Sequence, residues 1–403
     1  MNEFLRQQRE KMQNSSLPLK DIRVLDLSTV VAAPLAAAFL ADFGAEVIKI
    51  ENPSIPDATR GWAAHKDGTQ PWWLVMSRNK LPITLDLKES EDARIFSELV
   101  AKSDVLIENL RTGALEKMGF SAEKLIALNK GLIIGHISGY GRTGPYANRP
   151  GFGTLAEGLS GFTHVNAEKG GMPLSPPMPL ADMIAGMHLA FGIMVALRGA
   201  KRSEYGAQEI DISLYEPLLG LLGAEFLNYW LTGEIPQAWG SELSFTAPRN
   251  NYRTKDNRWV TLSASAQTPF ERLMDALGKP EMKSDARFKT NAARIKEENR
   301  AELNRVISDW FVQMNLQEAL KKCADLDLTV GIIATMRDIA EDPHVQARGS
   351  LKDIPDPATG RKLRMPDLTI HLSKTPGQIR FPGLPMGAAN EVVRKDLLGY
   401  SSE

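Results

Sequence analysis

The chain has 403 residues, with 48 Lys+Arg against 49 Asp+Glu and a formal net charge of −1. That balance excludes a basic nucleic-acid surface and an acidic solvating tail. Hydrophobic residues at 43% and charged residues at 24% exclude global disorder, and the one cysteine, Cys323, excludes an intrachain disulfide and a multi-cysteine metal site.

The opening segment MNEFLRQQREKMQNSS is polar throughout and has no apolar core of the signal-peptide kind. Thr29–Ala41, interrupted by Pro34, reads as the longest nearly apolar stretch. It falls short of the roughly 20 residues that span a bilayer, so the expectation is a cytoplasmic protein with no membrane or nucleic-acid partner.

IRVLDLS (22–28), EVIKIE (46–51), PITLDL (82–87), DVLIENL (104–110) and GLIIGHIS (131–138) are short apolar runs rich in branched residues. They read as strands. PLAAAFLADFG (34–44) and ESEDARIFSELVAKS (89–103) carry helix patterns between them. Alternating strands and helices predict an α/β fold with a parallel sheet, and strands apolar along their length predict cover on both faces.

Residues 139–181 are dense in Gly and Pro and read as a long functional loop. ADMIAGMHLAFGIMVALRGA (181–200) is a helix apolar nearly all round, which predicts burial on nearly every face. QEIDISL (208–214) reads as strand, and LYEPLLGLLGAEFLNYWLTG (214–233) as another buried helix. Composition shifts near 235. RNNYRTKDNRWVTLSAS (249–265) predicts a hairpin about Asp256–Asn257, with amphipathic helices at 269–277 and 295–313. The expected domains are 1–225, a smaller lobe at 235–345, and a tail at 346–403 that ends in a helix around EVVRKDLLG.

Gly139-Tyr140-Gly141-Arg142-Thr143-Gly144 matches G-x-G-x-x-G. A dinucleotide site needs a helix to open at those glycines, yet Pro145 and a turn-rich run follow. The better reading is a loop whose backbone amides approach a ligand. Asp182 stands at the mouth of the apolar helix. Spacing alone favours a helix cap, and the functional alternative is a desolvated carboxylate acting as nucleophile or base. His188, six residues on, reads as a satisfied buried histidine. His65, His136, His164, His344 and His371 are scattered without metal-ligand spacing, so no metal is expected. Lys49, Arg60, Arg78, Lys80, Arg111 and Lys117 lie near strand ends, where cations can hold the phosphates of a nucleotide-like ligand.

The segments VLDLSTVVAAP, FGAEVIKIENP, DATRGW, NKLPITLDL, DVLIENLRTGALEKMGF, ISGYGRTGP, LADMIAGMHLAFGIMVAL and EIDISLYE stand in this order. In order and spacing they resemble the class III coenzyme A transferases. The resemblance runs from about residue 20 to the C-terminus. It implies a Rossmann-like large domain built from both chain ends, so that 346–403 completes 1–225, and a smaller α+β domain. It also implies two chains interlocked as a dimer. The family nucleophile falls on Asp182, which reverses the capping preference. Its carboxylate attacks an acyl-CoA thioester to give an aspartyl anhydride, then an aspartyl-CoA thioester, and CoA passes to an acceptor acid. The CoA thioester is substrate, and no permanently bound cofactor is implied.

The resemblance puts backbone amides of Gly139, Tyr140 and Gly141 at developing oxyanions, with Tyr140 near the acyl group. It puts Val30, Val31 and Ala32 along the pantetheine, and Asn109, Leu110 and Lys117 near the adenosine and its phosphate. Arg60 is a phosphate or structural cation. Asn52 stands where some relatives have arginine, and Val31 where some have glutamine. GSELSFTAPRN lacks the glycine run that shields the site in those relatives, and the chain stops at GYSSE, short of the family's usual last helix.

Two alternatives stay open. An acyl-CoA racemase or epimerase of the same fold needs a second base, and Phe152 occupies the expected histidine place. One subunit of a hetero-oligomeric transferase is the other. Phe152, Phe162, Met172, Met178 and Trp72–Trp73 are candidates for an apolar acyl pocket, which would favour a bulky acyl group. Succinyl-CoA is the expected donor, with a substituted succinate or aromatic acid as acceptor.

Overall fold

The computed structural model describes residues 1–200 and 206–401. Its main sheet is β1 (Arg23–Asp26), β2 (Glu46–Glu51), β3 (Lys80–Thr84), β4 (Val105–Glu108), β5 (Ile133–Ser138) and β6 (Gln208–Ser213). All pairs are parallel, in the order β3-β2-β1-β4-β5-β6. The order reverses between β1 and β4, and the crevice outside the strand ends there is where open α/β sheets take ligands.

Side chains alternate between two cores. Val24, Val47, Val105, Ile107 and Ile133 face one side; Leu25, Ile48, Leu106 and Ile134 face the other. Both sides are covered, which is why the strand sequences are apolar along their length. Helix α1 (Asn2–Gln13) buries Leu5 and Met12. It was not legible as a helix because those contacts are few; Arg6 and Arg9 tie it to Glu391, Asp396 and Glu46. Helices α2 (Ala32–Asp42) and α3 (Ser90–Ala101) cover opposite sides of the sheet.

The 139–181 segment is not all loop: it contains a short helix, α4 (Gly153–Leu159). Next comes α5 (Leu180–Ala200), which packs on α2 through small residues. Gly186 crosses so closely that a Cβ there would overlap the Ala32 carbonyl oxygen. With 21 residues, α5 is long and apolar enough to cross a bilayer by length and composition. That corrects the reading of Thr29–Ala41 as the longest apolar stretch. Ala181, Ile184, Ala185, Leu189 and Ile193 pack into the sheet core. The expectation of burial on nearly every face fails, because Met187, Phe191, Met194 and Val195 are exposed. The segment after β6 is likewise not one buried helix. It breaks at Leu222 into α6 (Glu216–Leu221) and α7 (Gly223–Thr232), and α7 buries none of its residues.

The chain forms two compact units. The larger is made of the described residues of Met1–Phe162, Ser175–Leu231 and His344–Glu403; the smaller is Thr163–Leu174 with Thr232–Pro343. The expected boundary of an unbroken 1–225 is therefore corrected. Residues Thr163–Leu174 leave the large unit because Ala167 O accepts the Gly240 N–H and Lys169 pairs with Glu297. In the smaller unit β7 (Arg249–Arg253) and β8 (Trp259–Ser263) form the hairpin about Asn257, and β9 (Val330–Ile332) pairs with β8. Helices α8 (Gln267–Ala276), α9 (Glu297–Phe311) and α10 (Leu316–Asp325) close its core around Phe270, Phe311 and the buried Cys323.

The tail forms an antiparallel pair, β10 (Leu351–Pro355) with β11 (Lys362–Pro366). It then lies along β3, where the Asn79 and Ala389 N–H groups donate to Phe381 O and Pro82 O, and the Trp73 indole donates to Leu384 O. The C-terminal helix is short, Asn390–Val392, continued by a wide turn over Val393–Leu397.

Candidate active site

Asp182 is the third residue of α5. The cap reading fails for a specific reason. The Leu180 and Ala181 N–H groups donate to the Glu157 carboxylate of α4, at 3.1 and 3.3 Å. Glu157 is 2% exposed, and it satisfies the helix-end donors that an N-cap would otherwise take. The Asp182 carboxylate is left half-buried. Burial pushes its pKa up to about 6; its own N–H opposes this and the Glu157 carboxylate adds to it. A carboxylate of that basicity is ionised at neutral pH yet poorly solvated, which suits nucleophilic attack.

Gly153, also on α4, explains itself at this point: a Cβ there would overlap Asp182 Oδ2. Two residues earlier, Gly151 crosses Gly139, where a Cβ would stand 2.6 Å from the Gly151 Cα. A Cβ on Gly151 would meet the Tyr140 ring at 3.2 Å, and Tyr140 stands edge-on to Tyr146. The 151–153 strip thus joins the Gly139–Tyr140–Gly141 loop to the mouth of α5. Gly141 has φ +87°, and no helix opens at these glycines; the dinucleotide reading lacks its helix. The loop is anchored by groups that motif reading missed. Asp211 accepts the Arg142 N–H, and the Arg142 side chain pairs with Glu116 and Glu108. None of these has a local sequence signature, because the partners come from elements far apart in the chain: Glu108 from β4, Glu116 from the short helix Ala114–Lys117 and Asp211 from β6.

At the strand-order reversal, Val30 sits at φ +71° with its N–H on the Asp57 carboxylate. Asn109 clips the same loop from β4, accepting the Thr29 N–H and donating to Thr29 O, both at 2.8 Å. Thr29 is exposed and Val30 half-buried, whereas Val31 and Ala32 are buried at 0 and 2%. The last two brace the loop and do not line an open surface. Leu110 is half-buried, with its N–H on Glu108, and Asn52 accepts the Ser54 N–H. Lys117 is exposed, with no carboxylate partner among the described residues.

The expected cluster of ligand-facing cations is corrected. Lys49 and Lys80 are wholly buried under the Ser28–Val30 loop among Asp26 and Asp57. Burial pushes Lys80 down to about 8 against the pull of Asp26. Arg78 pairs with buried Asp42. Arg60 pairs with Glu51 and stacks 3.4 Å over Trp73, so it is a structural cation. Basic residues in a sequence do not announce whether they close an internal charge balance or face solvent. Arg111, exposed, donates to Asn148 O.

Three more expectations change. His188 is exposed, its Nδ1 bonding the Ile184 carbonyl one turn back. Trp73 is core, and Met172 lies in the smaller unit. Phe152, Met172 and Met178 are 69, 75 and 48% exposed, so they line no closed acyl pocket. Among the described residues no group of His, Cys, Asp and Glu has the arrangement to hold a metal ion.

A doubly covered parallel sheet with a half-buried carboxylate at a helix mouth beside its ligand crevice defines an α/β enzyme scaffold. The chain belongs to CoA-transferase family III, whose sequence profile matches residues 19–390. It is an enzyme, a CoA-transferase. The succinyl-CoA–D-citramalate CoA-transferase of Chloroflexus aurantiacus is 38% identical to it over 391 residues, covering 96% of this chain and 95% of that one. The beta subunit of the succinyl-CoA–L-malate CoA-transferase of Chloroflexus aurantiacus is 37% identical over 395 residues, covering 96% of each. The crystal structure of a CAIB/BAIF family protein from Brucella suis matches with a TM-score of 0.85 at 29% identity, covering 95% of this chain and 100% of that one.

Proposed function

We propose that this enzyme moves CoA from succinyl-CoA to a small dicarboxylic acid, with Asp182 as the covalent carrier. The observation that carries the mechanism is the Asp182 carboxylate, raised by burial and relieved of capping by Glu157. The donor class rests on relatives named for succinyl-CoA, and the acceptor class on those named for citramalate and malate.

The steps balance without net proton transfer. An Asp182 oxygen attacks the thioester carbonyl, the oxyanion collapses, and the C–S bond breaks to give an anhydride and CoA thiolate. The thiolate attacks the aspartyl carbonyl, releasing succinate and leaving an aspartyl-CoA thioester. The acceptor carboxylate attacks that thioester, forming a second anhydride and freeing the thiolate again. Thiolate attack on the acceptor carbonyl regenerates the Asp182 carboxylate. Each oxyanion needs donors, and the Gly139–Gly141 backbone is the proposed source. Val30, Asn52, Asn109, Leu110 and Lys117 are the proposed CoA contacts, with Lys117 supplying charge to a phosphate. The reaction as proposed draws on the CoA thioester, the acceptor acid and this chain's own groups, in the cytoplasm.

The exposed apolar side chains of Phe191 on α5 and of Phe226, Trp230 and Leu231 on α7 are proposed to be covered by a second copy of this chain. Apolar patches of that kind on a soluble protein mark association surfaces.

Turnover with an acceptor carrying 18O in its carboxylate tests the carrier role. One labelled oxygen is expected in Asp182 after digestion and mass spectrometry. A chain that turns over and leaves Asp182 unlabelled defeats the mechanism.

A further inference from the structure

Glu157 and Gly153 are one turn apart on α4, so they share a face of that short helix. Both meet the start of α5: Gly153 abuts Asp182 Oδ2, and Glu157 accepts the Leu180 and Ala181 N–H groups. The α4 helix is too short to bury much on its own, and this face is what docks it. A buried carboxylate with no basic side chain bonded to it among the described residues is an expensive group to keep. If capping were its only task, a Ser, Asn or Asp at the helix start would do it without burying a longer acid.

We infer that Glu157 is the positioning residue of Asp182: it takes the helix-end N–H groups, leaving the Asp182 carboxylate free to attack, and holds a second negative charge beside it. The inference rests on the nucleophilic role proposed for Asp182. Its consequence is electrostatic as well as steric. The N-terminus of α5 favours an ionised acid, and would by itself make Asp182 a weak base. Burial and the neighbouring carboxylate work the other way, keeping the attacking oxygen basic. The other ionisable groups on elements packed against α5 are engaged elsewhere. Asp42 of α2 pairs with Arg78, and His136 of β5 lies between Glu108 and Glu209. Asp211 of β6 holds the Arg142 N–H, and Glu216 of α6 bonds Ser213. On α5 itself His188 bonds Ile184 O, and Arg198 is in the last turn. Glu157 is the neighbouring charge that raises Asp182, behind burial itself.

The test measures exchange of labelled succinate into succinyl-CoA by the full chain between pH 5 and 8.5. Glu157→Gln keeps an acceptor oxygen for both N–H groups and removes the charge. Its acid limb in kcat/KM is expected to move to lower pH by half a unit or more, with plateau kcat at least tenfold down and KM for succinyl-CoA little changed. Glu157→Ala, which also removes the cap, is expected to lose more. A Glu157→Gln profile that superposes on wild type overturns the inference, since a purely structural cap would behave that way. Should the variants fail to fold, 13C NMR of the wild-type Asp182 carboxyl decides. A midpoint above pH 5 supports the inference, and one at or below pH 4 overturns it. Asp182→Asn separates the two claims: if it still exchanges, the nucleophile reading fails. If it is inactive while Glu157→Gln matches wild type, only the positioning role falls.

Discussion

At the residue scale the decisive feature is who caps α5. With Glu157 on the amides of Leu180 and Ala181, Asp182 bears the cost of burial with its own N–H as the bond that partly offsets it. Its pKa, raised to about 6 by burial first and Glu157 second, gives a sign. A carboxyl whose folded pKa lies above its unfolded value favours the fold when protonated, and that benefit is lost as pH rises through 6. Asp182→Asn is therefore expected to raise stability by roughly 1–2 kcal/mol at pH 7–8, allowing for partial solvent screening. The gain should vanish below about pH 4, as urea melts at both pH values will show. Gly153→Ala tests the same contact from the other side. It is expected to leave the melting temperature almost unchanged, because Ala favours the helix by about 1 kcal/mol. Exchange should fall by about two orders of magnitude, since the displaced carboxylate loses its line of attack.

At the element scale, the crevice is shaped by loops that grip one another. The Thr29–Val30 loop is held by Asn109 from β4 and Asp57 from beyond β2, over the buried Lys49 and Lys80. Ala32, the first residue of α2, abuts Gly186 of α5, which anchors the end of the loop proposed for pantetheine against the helix bearing Asp182. Asn109→Ala removes two bonds to Thr29. We expect KM for acyl-CoA to rise about tenfold with kcat changed less than threefold, and about 1 kcal/mol of stability lost. Steady-state kinetics with denaturant melts check this; an equal fall in kcat at unchanged KM would refute it.

At the scale of the whole molecule, the exposed apolar side chains of α5 and α7 have no cover among the described residues. Phe191 is 71% exposed, Trp230 74% and Leu231 73%. The helix patterns predicted burial, and the fold leaves these side chains exposed; the proposed second copy is what would bury them. Light scattering on the purified chain is expected to give about twice the 44.4 kDa of one copy. The pair Phe191→Glu and Trp230→Glu should shift it toward the monomer mass. A wild-type mass of one chain would remove the proposed second copy.

The strand runs and the parallel sheet were legible in the sequence, because they rest on local pattern: periodicity and branched residues. At Asp182 that pattern favoured a helix cap, and its candidacy as nucleophile came from the family resemblance. What periodicity does not carry is pairing at a distance. Glu157 falls in the stretch that reads in sequence as a long loop; only the fold lays it across the amides of Leu180 and Ala181. Lys49 and Lys80 read as free cations until the sheet buries them against Asp26. Hydrophobic pattern depends on neighbours within a turn or a pleat, so one dimension suffices to show it. Charge balance, close glycine crossings and shared capping depend on atoms a few ångströms apart and many residues distant, and tertiary structure alone decides them.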